Sequence, residues 1–194
     1  SSIAVQIHGA TLLCNMAYGS PETKKRIGKI GGIDAIVDSM KAHPSDSTLQ
    51  QRCCMALQTL TWDIRVNQWI TGRALGIEAI LNALRSFPEE ASVLFHGCAA
   101  LCNVCADEPD NRRRSADSGA LELTISLLKG NLSQSDFVEH GLLFLRNMAT
   151  GDKAAQLRIG SEDGVQVIFR CLSGHLGSTT VTEYGCSVLR YLFF

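Results

Sequence analysis

Leu101-Cys102-Asn103-Val104-Cys105 decides the reading of this chain. It returns 44 residues later as Leu145-Arg146-Asn147-Met148-Ala149 and stands 88 residues earlier as Leu13-Cys14-Asn15-Met16-Ala17. Outward from it, Leu57 and Leu189 complete the leucine series at the same step, and Val5, Leu49, Val93, Phe137 and Val181 form a second apolar series. Ile33, Ile77, Leu121 and Val165 form a third, and Met40, Leu84, Leu128 and Leu172 a fourth. Residues so far apart share a chemical character where the chain repeats a structural unit, and periods of about 20–50 residues denote solenoids or related arrays. Function is then to be sought on a repeated surface rather than in a single pocket.

Only helical periodicity is present. Val93, Gly97, Ala100, Leu101 and Val104 follow an i, i+4, i+7, i+8, i+11 stripe, and Val5, Gly9, Leu12, Leu13 and Met16 follow the same one. Such a stripe is the core face of a helix. Two further helices are predicted before this one in each unit. A short polar helix covers roughly 21–30, 65–74, 109–118 and 153–162, and a longer one roughly 32–42, 76–86, 120–129 and 164–173. Gly32, Gly76, Ala120 and Gly164 recur between them, where small residues permit a sharp turn and close helix approach. Pro44 and Pro88 mark the break before the third helix. Ser45 and Ser133 are its expected caps.

Three helices per unit with a glycine corner between the first two resemble the armadillo repeat. The residues that carry the resemblance are Ile30-Gly31-Gly32-Ile33-Asp34-Ala35-Ile36 together with the three stretches quoted above. HEAT repeats, the nearest rival, have two helices and no such corner. The resemblance implies an all-α, right-handed armadillo-type α-α superhelix, a solenoid of four full 44-residue repeats plus one extra helix. The expected organisation is a single array over 1–194: a partial repeat at 1–18, then 19–62, 63–106, 107–150 and 151–194. Neither end has a polar face, and Val188-Leu189-Arg190-Tyr191-Leu192-Phe193-Phe194 is apolar. Solenoids need polar caps, so the reading is a fragment of a longer array. The alternative is a complete small protein covered by end-to-end self-association.

Composition narrows the function. Of 194 residues 45% are hydrophobic, and the net charge of -1 offers no general attraction to nucleic acid or anionic lipid. A lack of exposed aromatic platforms is also expected, and it too disfavours nucleic acid. Eight cysteines without disulfide-scaffold spacing read as reduced core residues, which places the chain in the cytoplasm, with the nucleus as second compartment. No run of 18 apolar residues exists, so no membrane span is expected. Cys98, Cys102 and Cys105, with His96 nearby, have zinc-ligand chemistry, but a straight helix spreads three such residues over about 10 Å. They read as core, and no metal or other cofactor is expected. No nucleophile elbow, phosphate loop or other catalytic spacing occurs, so the chain reads as non-enzymatic. Asn131-Leu132-Ser133 matches a glycosylation acceptor without a secretory context. The basic triplets Lys24-Lys25-Arg26 and Arg112-Arg113-Arg114 read as solvated faces, with docking of an acidic partner as the alternative.

The candidate surface lies on the third helices. Positions 8, 11 and 15 sit roughly 110° from the core stripe, and the resemblance implies that this line faces a concave groove. Peptide-binding armadillo proteins place an asparagine at the last position to bond the backbone of an extended ligand; Asn15, Asn103 and Asn147 match. An amide offers an acceptor and two donors, which suits a peptide lacking a strand partner. The first positions hold His8, Arg52, His96, His140 and Tyr184, and the middle ones Thr11, Met55, Ala99, Leu143 and Ser187. The tryptophan and acidic clamp of nuclear-import adaptors is absent, since Trp62 and Trp69 lie elsewhere. The chain is therefore expected to be a protein-protein interaction scaffold or adaptor that holds an extended or helical partner segment in this groove. Histidine and arginine favour acidic or phosphorylated segments. The alternative is a regulatory or sensory module of a larger protein that grips a small anionic metabolite. Bracing of a neighbouring loop is the competing role for the asparagines, and contacts at helix starts for the histidines.

Overall fold

The computed structural model describes residues 2–193, apart from the side chain of Glu162. The described residues form thirteen α-helices and no strand. They are α1 (Ile3–Ala17), α2 (Pro21–Lys29), α3 (Gly32–Ala42), α4 (Ser47–Thr61), α5 (Arg65–Arg73), α6 (Gly76–Ser86), α7 (Ala91–Cys105), α8 (Pro109–Asp117), α9 (Ala120–Gly130), α10 (Ser135–Ala149), α11 (Lys153–Ile159), α12 (Glu162–Gly174) and α13 (Thr179–Phe193). This is the expected all-α, armadillo-type order: a third helix alone, then four triplets. The one notable boundary shift is at α11, which ends three residues early. Two compact units result, Ser1–Asn111 and Arg112–Phe194. In the first, the third helices α1, α4 and α7 lie side by side; in the second, α10 and α13 do.

The corner between first and second helices falls one residue before the expected position. Gly31 and Gly119 adopt φ of 86° and 79°, and Leu75 takes the same left-handed turn at 66°, where a bulky residue is strained. The following glycine is needed for space instead: a Cβ on Gly32 would stand 2.5 Å from Ile27 Cγ2, and one on Gly76 2.5 Å from Thr71 Cγ2. The caps also differ from expectation. Asp46, not Ser45, caps α4 by accepting from the Leu49 N–H, and Gln134, not Ser133, precedes α10 without a side-chain cap.

Core contacts repeat with the sequence. Leu84 sits over Gly97, Leu128 over Gly141 and Leu172 over Gly185; an added Cβ would come within 2.7, 2.8 and 2.7 Å of the leucine. Each pair joins a second helix to the third helix that follows. On α1 the equivalent Gly9 has nothing within 4 Å among the described residues. Along the expected core stripe of α1, Val5, Leu12 and Met16 are 63%, 59% and 54% exposed.

A second repeated contact joins first helices. Asn67 Nδ2 donates to the Lys24 and Leu60 carbonyls at 2.9 and 2.8 Å, and Asn111 Nδ2 to those of Gln68 and Val104 at 2.9 and 2.8 Å. Their Oδ1 atoms lie against Gly28 and Gly72, where no side chain would fit. All of these residues are in phase at the 44-residue step.

Candidate functional site

The first unit brings His8, Asn15, Arg52, His96 and Asn103 onto three neighbouring helices, but they do not do equivalent work. His8 and Asn15 are exposed on α1, and Arg52 is half-buried on α4; none of the three side chains makes a hydrogen bond or ion pair within the described residues. On α7 the situation reverses. Asn103 Nδ2 donates to the Gln58 carbonyl at 2.9 Å, and His96 Nδ1 donates to Gln58 Oε1 at 2.8 Å. The amide oxygen can only accept, so that bond fixes the Nδ1–H form of the imidazole. The Phe95 ring meets His96 edge-on at 4.8 Å between centroids. Ala99, expected between them on the open line, is buried.

At Cys14, Gln58 and Arg146 the residue just before the asparagine position meets the next third helix. Cys14 Sγ lies 3.2 Å from Thr59 Oγ1, and Gln58 takes the two bonds above. In the second unit Arg146 stacks on the Tyr184 ring at 4.9 Å, approaches Glu183 at 3.9 Å, and donates to Asn147 Oδ1 at 3.4 Å. That unit therefore places Asn147 and Tyr184 around one guanidinium. His140, also on α10, bonds through Nδ1 to the Asp136 carbonyl of its own helix at 2.9 Å. Hydrogen bonds with Thr150 and Arg190 hold the Tyr191 hydroxyl below the usual phenol range. Sequence reasoning passed over Gln58 and Arg146. The available signal was the position itself, which reads Cys14, Gln58, Cys102, Arg146, Arg190 and is neither steadily apolar nor steadily polar.

The end of α4 holds a feature that the groove reading also missed. A cavity of about 370 Å³ is lined by Tyr18, Gly19, Lys24, Gln58, Thr59 and Trp62. Tyr18 and Trp62, one repeat apart, are 84% and 62% exposed, and Trp69 is exposed with Arg73 stacked 5.0 Å above it. The expectation that exposed aromatic platforms are lacking is therefore overturned, and the argument against nucleic acid rests on charge balance alone.

The cysteines of α7 are core residues. Burial pushes the Cys98 thiol up to about 12, against the thiolate that zinc requires. No metal-binding group of three or more side chains occurs among the described residues. Asn131 is buried and donates to the Leu127 carbonyl at 2.9 Å, a poor setting for a glycan. No helix among the described residues is long and apolar enough to cross a membrane.

The fold defines the class: an armadillo-type helical repeat. Comparison with solved structures agrees. An engineered protein from a structural genomics consortium superposes with a TM-score of 0.85 at 24% identity, over 99% of this chain and 45% of that one, so the chain spans less than half of that neighbour. A second engineered protein gives 0.71 at 19% identity, over 99% and 92% of the two chains. A designed armadillo repeat protein in complex with the peptide (KR)4 gives 0.60 at 11% identity, over 99% and 100%. No family model and no curated protein matches the chain.

Proposed function

We propose that this chain is a non-enzymatic scaffold that binds an extended segment of a partner protein along its third helices, with a preference for acidic segments. One observation carries the reading. On α1 and α4 of the first unit, His8, Asn15 and Arg52 are donor-bearing side chains with no partner among the described residues, beside the half-buried Met55. Polar side chains held on rigid helices and left without partners are suited to an external ligand. A designed neighbour of the same fold class is seen with a peptide, which supports peptide binding as a use of such a surface. That peptide is basic; here the exposed positions hold histidine, arginine and asparagine, so the opposite charge is the better fit.

Asn103 and His96 enter this reading as supports. Their bonds to Gln58 fix the wall, while Asn15 and Arg52 are left to meet the ligand. The test is selection of binders from a random peptide library, followed by affinity measurement with Asn15→Ala, Arg52→Ala and Asn103→Ala proteins. The first two should lose affinity at least several-fold with unchanged thermal stability. Selected peptides that bind all three variants equally would remove the third helices from the function.

A further inference from the structure

We propose that the recess between the ends of α1 and α4 is a pocket for an acidic side chain, an aspartate or glutamate next to an apolar residue in a partner's extended segment. The proposal rests on the scaffold reading and names the chemistry of one subsite. Its walls are Tyr18 and Trp62, the residues that close α1 and α4. They hold the same place in consecutive repeats, where the next two repeats carry Ala106 and Thr150. The aromatic pair is therefore peculiar to this recess. Large rigid rings that stay in water without a partner are the usual anchors of protein recognition.

The lining keeps several donors open. Lys24 Nζ donates to the Trp62 carbonyl at 3.2 Å, which uses one of its three hydrogens and occupies that carbonyl. Gln58 has its carbonyl and Oε1 engaged by Asn103 and His96, so its Nε2 remains as a donor. The Thr59 hydroxyl is bonded to the Met55 carbonyl at 3.0 Å. A ligand that brings acceptors and negative charge matches these open donors. The Lys24 ammonium sits partly out of water, which pulls its pKa below the usual lysine value, and the Asp63 carboxylate only partly offsets this. A carboxylate entering the recess completes that offset. The neighbouring charges on α2, where Lys25 and Arg26 outnumber Glu22, attract the same kind of segment. At about 370 Å³ the cavity admits one side chain and its neighbour, not a folded surface.

The test uses the whole chain and a blocked alanine hexapeptide with a central Glu-Leu pair, beside Gln-Leu and phosphoserine-Leu versions. The two indole N–H signals report separately by NMR, Trp62 within the recess and Trp69 outside it. Titration with the Glu-Leu peptide should shift Trp62 saturably and leave Trp69 in place. The Gln-Leu peptide should bind at least tenfold more weakly. Lys24→Gln should abolish the difference between the two peptides, and Asp63→Asn should strengthen Glu-Leu binding by removing the competing anion. Lys29→Gln, which removes an equal charge outside the recess, should change affinity less than twofold. Equal losses with Lys24→Gln and Lys29→Gln overturn the pocket, and stronger binding of the phosphoserine peptide overturns its assignment to carboxylates. Shifts confined to Arg52 and Met55 overturn this inference and leave the scaffold reading standing, whereas library-selected peptides that shift nothing on α1, α4 or α7 overturn both.

Discussion

α1 and α7 carry the same pattern in the same phase, yet they live in different surroundings. Val93, Ala100 and Val104 on α7 are buried, whereas Val5, Leu12 and Met16 on α1 stand open to solvent. Gly97 receives Leu84; Gly9 receives nothing. Asn103 is bonded to the preceding third helix, and Asn15 has no such partner. A repeat sequence thus encodes a helix and its faces, while the neighbour decides whether a face becomes core, brace or open surface. In such arrays stability is a sum of intrinsic and nearest-neighbour terms.

The largest effect that would sharpen this contrast is a leucine truncation. Leu101→Ala should cost about 2–5 kcal/mol in chemical denaturation, while Leu12→Ala should stay within about 0.5 kcal/mol. Equal costs would break the comparison. Alkali comes next. Burial holds the Cys98 thiol protonated up to about 12, while in the unfolded chain it ionises near 9.0. Its contribution is complete below about pH 9 and is lost as pH rises through about 12, because the unfolded state sheds the proton first. Denaturation midpoints should fall across that window, and Cys98→Ala should flatten the slope.

Smaller effects probe the amides and glycines. Asn111→Ala strands two buried carbonyls and should cost about 1–3 kcal/mol; Asn15→Ala should be neutral to stability. Gly97→Ala forces Leu84 aside and should destabilise by about 1–3 kcal/mol. Gly9→Ala should stabilise by about 0.5–1 kcal/mol, as for any open glycine in a helix. The last comparison involves no stability change. Cys54, Cys98 and Cys186 are in phase, but only Cys186 is exposed. A thiol reagent at neutral pH should label Cys186 within the native protein and reach Cys54 only on unfolding.

Much of the fold was legible beforehand because period and polarity are local properties. The leucine series and the small residues at 32, 76 and 164 were sufficient to place nearly every helix. The candidate surface was legible only in outline. Positions 15, 103 and 147 read alike, yet one is open, one is bonded to Gln58 and one lies beside Arg146. The roles of Gln58 and Arg146 depend on the distance to another helix, for which one chain's spacing carries little signal. The in-phase Asn67 and Asn111, set against Gly28 and Gly72, carry a signal at the 44-residue step, but their carbonyl partners depend on how the first helices stack.

By itself the amino-acid sequence determined the helical class, the 44-residue module and the faces each helix offers, because these follow from side-chain spacing along one chain. Only the tertiary structure decided which donors are used up in bracing, which stay open, and that Tyr18, Lys24 and Trp62 share one recess. Those outcomes depend on residues tens of positions apart meeting at hydrogen-bond range, a condition set by how helices stack rather than by the pattern on any one of them.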